Sequence, residues 1–470
     1  MTSVLVRLRP VVQATPTADG LHLRGWSSNC TITGGAALWR VWQRLAPQLT
    51  AGVPAAELGV PDGTAPAVRA AVELILAQLR EHDMLVSMPA EQSPDGPSAE
   101  VADWLASVAP DPVGAWGRLR SAAVVISGSG LPAEMAARAA DAVGLRNSYS
   151  DGNTDELVVS AGAFSVSAGC GAEVGYVLPV AEGLVLFNTE VIMHVTARLG
   201  VTGEPTGVLA ALIGSAAVHR LVCALAGLPD PATEFKTSYP MALVARTGPL
   251  RATYHPMLTG PRHPDPWHTL DALTDPELGE VGPPEFGTLP QVPAKLATCG
   301  DALGIGTTAD AARLNATLNA LDADGVDDLH ARGTALRRAV RHRTGRPVRS
   351  WTADPTARRW WKALTERFAV PATLRVEQLA PSVHKAEIHH GDRLLSWAVE
   401  ATPQDAVAFA ALAATGQAQA GRDGTAHLNG AAPHHAGDHP GWATRAWRWP
   451  AGVRTTEEAF QQALAALDER

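Results

Sequence analysis

Cysteine is scarce in this chain: Cys30, Cys170, Cys223 and Cys299 are the only four in 470 residues, far apart and without a CxxC pair. Disulfide frameworks belong to small secreted domains and structural zinc needs closely spaced ligand pairs, so neither is expected, and no metal site is assigned. Positive charge is also short. With 38 Lys and Arg against 47 Asp and Glu the net charge is −9, which argues against nucleic acid as a partner because phosphate neutralisation needs a basic surface. The opening residues, MTSVLVRLRP, lack the apolar core of a secretory signal. The longest apolar run, around Val208 to Val218, stops at His219-Arg220 and reads as too short for a bilayer. A cytoplasmic protein without a membrane partner is the expectation.

What is present is a globular composition, 46% hydrophobic and 18% charged. Its length calls for about two to four domains. Two proline-rich stretches mark the joints. One is a linker over 89–112 carrying a short helix at Ala99–Ser107. The other is a connector over 261–293, where repeated prolines remove backbone donors and oppose long regular structure. Three blocks remain: 1–88, 113–260 and 294–470. The fold class is α/β, with a small α+β block at the N-terminus.

The first block is the most legible. Val4–Gln13, Leu21–Gly25 and Cys30–Thr33 are strand candidates, with a turn at Ala18-Asp19-Gly20. Gly34-Gly35 opens a helix whose Leu38, Val41, Trp42 and Leu45 share a face, and a short helix is expected over Pro54–Leu58. A further helix starts near Thr64 and places Val68, Val72, Ile75, Leu76 and Leu79 on one stripe, before a returning strand at Met84-Leu85-Val86. This is a winged-helix arrangement. Its last helix carries Arg69 as the one cation between Ala65 and Leu79, opposed by Glu73, which is poor equipment for DNA. A strand edge at Cys30, Thr31, Ile32 and Thr33, beside a groove formed with Val68, Arg69, Val72, Ile75, Leu76 and Leu79, suits an extended peptide added as a strand.

The run DGLHLRGWSSNCTITGGAALWRVWQRLAPQLTAG, with the closing LREHDMLV, resembles a RiPP recognition element, the PqqD-like domain that binds the leader of a ribosomal precursor peptide. The resemblance covers roughly the first 90 residues and makes those ten residues the implied leader-binding set.

In the middle block an apolar strand, Ala123–Ile126, runs into Gly128-Ser129-Gly130 and a helix from Pro132, a Rossmann-like opening. As a nucleotide fingerprint it is weak. The third glycine is missing, and the following strand candidate, Leu157–Ser160, is preceded by Asp155 and Glu156 rather than ending in an acid. Gly128 and Gly130 are the candidate nucleotide contacts; close helix–strand packing is the alternative. Gly183–Asn188 is a further strand candidate, and Gly214, Ala217 and Ala224 give the long helix after Pro205 a close-approach face. This helix and the ATYHPML that follows resemble the ThiF-like fold of cyclodehydratase partner proteins, which commonly join an N-terminal recognition element to such a body. No intact ATP loop or catalytic cysteine setting accompanies it, so the resemblance implies a degenerate ThiF-like body.

The last block reads as a further α/β region. A strand from Lys295 and a glycine turn lead to a helix with Ala311, Leu314, Leu318 and Leu321 on one face, followed by two or three strands and an Ala-rich helix. Arg337, Arg338, Arg341 and Arg343 begin a basic run that is either a solvated face or a surface for an acidic peptide or partner enzyme. Seven of the thirteen tryptophans lie beyond position 350, which suits core packing or an interface. His427, His434, His435 and His439 sit in a Gly/Ala/Pro-rich stretch ill suited to hold a metal unaided.

Taken together, the resemblances imply a non-catalytic, leader-peptide-binding subunit of an azoline-forming cyclodehydratase. Its partners would be the precursor peptide and a YcaO-type cyclodehydratase, with a homodimer inside a hetero-oligomer as the assembly. No cofactor is expected on this chain, with ATP and Mg at the partner enzyme. The alternative is a divergent ThiF-like adenylating enzyme that works through Gly128 and Gly130.

Overall fold

The computed structural model describes residues 4–58, 64–90, 96–150, 156–183, 189–235, 239–258, 266–321, 328–422, 424–428 and 451–469. Pro10, which has no N–H, sits in a turn that splits the long first strand expected over Val4–Gln13 into β1 (Val4–Leu8) and β2 (Gln13–Thr17). Then come β3 (Gly20–Arg24), β4 (Asn29–Thr33), α1 (Ala37–Ala51), β5 (Val53–Pro54), a 3₁₀ turn over Ala55–Glu57, α2 (Pro66–Glu81) and β6 (Leu85–Pro89). The strands form two antiparallel sheets, β5-β1-β6 and β2-β3-β4. Leu21, Leu23 and Ile32 from the second sheet meet Leu38, Trp42 and Leu49 of α1 and Ile75 and Leu79 of α2 in one core.

Contact divides the described chain into two units, Met1–Lys236 with Ala242–Tyr254 and Thr237–Met241 with His255–Arg470. The first block therefore shares a unit with the middle one. The stretch between them holds one helix, α3 (Ala99–Val108), capped by Ser98, and α4 (Pro112–Ser121), capped by Asp111, opens the middle block.

The body of this unit continues with β7 (Ala123–Ser127), α5 (Gly130–Val143) and β8 (Arg146–Ser150). β7 and β8 pair in parallel, as a β-α-β crossover requires. β9 (Leu157–Ala161), β10 (Phe164–Cys170), β11 (Val174–Val177), β12 (Ala181–Glu182), α6 (Thr189–Leu199), α7 (Gly207–Ala226), β13 (Met241–Thr247) and β14 (Leu250–Pro256) follow. The main sheet runs β14-β13-β11-β10-β9-β7-β8, with β12 on β10. β8 was not expected, because its RNSYS sequence lies mostly exposed at the sheet edge and shows no apolar alternation. The strand expected over Gly183–Asn188 falls largely outside the described residues.

α7 corrects the reading of a short apolar run: at 20 residues it is long and apolar enough to cross a membrane. It is the core helix of this unit, with Leu209, Ile213, Ala217 and Leu221 buried. Gly214 lets it touch α5, since a Cβ there would lie 2.7 Å from the Ala136 nitrogen and the Pro132 oxygen. Arg220 does not end the helix; it is enclosed, donating to the Val177 carbonyl at 3.1 Å and to Asp230 Oδ1 at 3.1 Å.

The second unit contains α8 (Pro266–Leu273), β15 (Lys295–Cys299), β16 (Ala302–Gly306), α9 (Ala309–Ala320), α10 (Asp328–Val340), β17 (Arg346–Pro347), α11 (Pro355–Lys362), β18 (Thr373–Ala380), β19 (Val383–His390), β20 (Arg393–Glu400), α12 (Pro403–Ala420), β21 (Ala426–His427) and α13 (Ala451–Asp468). β15 and β16 make a hairpin where one strand and a turn were expected. The five-stranded sheet is ordered β17-β18-β19-β20-β21. Ala386, Ile388 and Ala398 pack with Trp360 of α11 and Leu412 of α12. Val383, Trp397 and Val399 pack with Val340 of α10 and Phe460 and Leu464 of α13.

Candidate functional site

β4 ends its sheet and pairs with β3 alone among the described strands. In the connecting turn the Gly25 amide donates to the Ser28 carbonyl at 2.9 Å. Antiparallel alternation from that bond makes Cys30 and Ile32 the residues bonded to β3, so Asn29, Thr31 and Thr33 present N–H and C=O outward. Their side chains are exposed while Cys30 and Ile32 are buried. His22 Nδ1 and Thr31 Oγ1 are 2.9 Å apart across the sheet. The edge is therefore a row of three outward donor–acceptor pairs, the template an added strand needs.

α2 packs beside this edge, and Ser28 Oγ donates to the His82 carbonyl at its end, at 2.7 Å. The ten expected residues separate into two sets. Val68 is 42% exposed, Arg69 and Val72 are half-buried, and Thr31 and Thr33 are open. Ile75, Leu76 and Leu79 have buried core side chains rather than open groove-lining ones, and Cys30 and Ile32 are buried with their backbone groups turned to β3 rather than to the open edge. A single 3.6-residue stripe carries both the packing face and its rim, and sequence alone does not part them. Two exposed contributors were missed, Asn29 and Trp26; the latter is 60% exposed in the turn leading to β4. A separate groove of about 670 Å³ along α1, lined by residues such as Trp39, Gln43 and Pro47, shows no feature that selects an occupant.

The glycine turn before α5 is largely a packing device. A Cβ on Gly128 would lie 2.7 Å from the Glu156 carbonyl oxygen, so this glycine seats the turn on β9. Gly130 opens α5 at φ +71° with nothing within 4 Å of where its Cβ would be. The Glu156 carboxyl is pushed up by burial, against a lowering hydrogen bond with Ser167. The strand after α5 is β8, so an acid sought at its end falls at Asp151, outside the described residues.

The basic run is not a single surface. Arg337 is fully enclosed: its guanidinium meets Glu457 at 2.7 and 2.9 Å and Glu400 at 3.0 and 3.2 Å. Burial alone would lower its pKa, yet the two carboxylates hold it raised. Arg341 lies over the Trp397 ring, 5.1 Å from its centroid, and Arg343 donates to the Asp468 carbonyl at 2.9 Å. Arg338 is the exposed one of the four. The expected acidic-peptide surface therefore fails for Arg337, whose charge faces inward because two glutamates meet it there.

Catalytic signatures are weak among the described residues. Burial raises all four thiols, Cys170 to about 11 and Cys223 to about 12, and Glu81 adds to the effect at Cys30. None is a ready thiolate nucleophile. His427 stacks on Trp397 at 3.7 Å with its Nδ1 3.2 Å from the Trp397 carbonyl, and burial carries it down to about 3. His434, His435 and His439 lie outside the described residues. Trp360 and Trp397 are core residues, and Trp351 packs edge-on against Trp361. Sequence reasoning also missed His255–Asp275, a 2.9 Å pair that is nearly enclosed.

No protein-family model matches the chain, and no curated protein matches it in sequence. Solved structures do. A heterocyclase in complex with substrate and cofactor aligns over 87% of this chain and 82% of its own, with a TM-score of 0.54 at 12% identity. MccB of E. coli with ATP aligns over 55% of this chain and 98% of its own, at TM-score 0.37 and 13% identity. MccB with AMPCPP and MccA aligns over the same shares at TM-score 0.38 and 10% identity. The chain thus has a mixed α/β fold similar to that of the heterocyclase.

Proposed function

We propose that this chain is the leader-peptide-binding, non-catalytic subunit of an ATP-dependent azoline-forming cyclodehydratase. It presents a ribosomal precursor peptide to a YcaO-type partner that cyclises Cys, Ser or Thr. The observation that carries this reading is the free β4 edge beside α2, with Asn29, Thr31 and Thr33 turned outward. The fold similarity to a heterocyclase and the protonated thiols support it. In this reading residues 1–88 are a winged-helix recognition element, ATP and Mg belong to the partner, and the assembly is cytoplasmic. Binding raises the effective concentration of the core peptide at the partner's active site.

The test is a titration of fluorescently labelled precursor peptide, from an open reading frame beside the gene, against the full chain and Thr31→Pro. Proline is tolerated on an edge strand when the lost N–H faces outward. It would remove one peptide hydrogen bond and place a ring in the added strand's path. At least a tenfold loss of affinity with unchanged thermal stability is expected; equal affinity would remove strand addition from the proposal.

The second reading, a divergent ThiF-like adenylating enzyme, draws on the open space before Gly130. Pyrophosphate release by the isolated chain with ATP and peptide would favour it.

A further inference from the structure

The residue after β1 makes an unusually complete set of bonds. Arg9 is 3% exposed. Its Nε donates to the Asp83 carbonyl at 2.7 Å, and Nη2 meets the two Asp83 carboxylate oxygens at 2.9 and 3.0 Å. Nη1 donates to the carbonyls of Ala106 and Ala109, both at 2.8 Å. Five donors are available on a guanidinium, and these bonds engage all of them.

The partners belong to different parts of the unit. Asp83 lies in the turn between α2 and β6 and is one of the few non-glycine residues at positive φ, +50°. Ala106 and Ala109 lie at the C-terminal end of α3, where carbonyls lack helical partners and favour a cation. α3 has no basic residue in its own last turn. Val101, Leu105 and Ala109 are part of the body core, and Trp104 meets His219 of α7 edge-on at 6.0 Å. Beside Asp83, the His82 carbonyl accepts from Ser28 at the start of the β4 edge. One buried side chain therefore joins the rim of the candidate peptide edge to the body.

We propose that Arg9 is a positioning residue that locks the recognition block onto the body, so that a peptide on the β4 edge leaves it in one fixed direction. This rests on the peptide-binding reading above. A planar fork suits the task, because one group satisfies a carboxylate and two helix-end carbonyls at once; a lysine ammonium has three donors and no plane. Recognition and delivery are then separable: the edge sets affinity and Arg9 sets geometry.

The experiment measures the distance distribution between probes on single cysteines introduced at Gln43 of α1 and Ser148 of β8 in the full chain, by double electron–electron resonance. A narrow distribution is expected for the parent and one at least twice as wide for Arg9→Met. Arg9→Lys keeps the charge and stem but not the fork, and should also widen it. Affinity for labelled precursor peptide should stay within about twofold in both variants. Should Arg9→Met unfold the block, Arg9→Lys decides by the same distribution. A parent-like width in Arg9→Lys would overturn the proposal, and so would a wide distribution in the parent. Failure of the parent to bind peptide would refute the binding reading while the distances still report on the clamp.

Discussion

Glu457→Gln tests what holds α13 to the second unit. The wild-type carboxylate accepts two bonds from Arg337, at 2.7 and 2.9 Å, and one from Gln461 at 2.9 Å. The amide keeps the shape but removes the charge, and its NH₂ faces a guanidinium that only donates. Removing one member of a buried ion pair costs about 3–5 kcal/mol, because the remaining charge is left in a low-dielectric site. Glu400 still compensates Arg337, so about 3 kcal/mol is the reasoned value. That corresponds to roughly a hundredfold loss of protection, at about 1.4 kcal/mol per factor of ten. The assay is native-state hydrogen exchange on peptides from Ala451–Asp468. A two-unit chain need not unfold in one step, so local protection reports better than a global midpoint. The triple variant Arg337→Met/Glu400→Leu/Glu457→Leu should recover most of the loss, since apolar replacement of buried ion groups is often nearly neutral. Wild-type exchange in Glu457→Gln would refute the reasoning and assign the hold on α13 to apolar contacts such as Phe460 and Leu464 and to the Arg343–Asp468 bond.

Gly214→Ala places a methyl against two backbone atoms of α5 and should cost about 1–3 kcal/mol by overpacking, read as a lower urea midpoint. His427 gives a signed pH dependence. Its folded pKa of about 3 lies below the ordinary 6.5, so the unfolded chain takes up the proton first as pH falls. Its contribution to stability is complete above about pH 6.5 and declines from there toward pH 3, by about 2 kcal/mol at pH 5. His427→Phe should flatten that slope in unfolding measured from pH 7.5 to 5; an unchanged slope would assign it to other groups.

The elements legible in the sequence are those whose apolar spacing and punctuation agree. β3, β4, α1 and α2 were read within a few residues because glycine turns separate them and their buried faces repeat at the strand or helix period. β8 escaped because a polar edge strand has no such period, and its existence moves the next acid after α5 to a different place. The α2 stripe gave the right helix but mixed rim with core: Val68 and Leu79 share a spacing and differ in burial. Arg337 shows a further limit. Nothing local distinguishes it from Arg338, because its glutamates are 63 and 120 residues away. Arg9 is the same case, with helix-end carbonyl partners 97 and 100 residues distant.

The protonated thiols have a practical consequence. Reaction with maleimides and disulfide reagents runs through the thiolate, and at neutral pH a side chain held near 11 or 12 supplies almost none of it. A cysteine placed on an open surface would ionise near its ordinary value and react orders of magnitude faster than those two. Cys170 and Cys223 would therefore compete little with a cysteine placed at a chosen position for attaching dyes, cross-linkers or surface tethers.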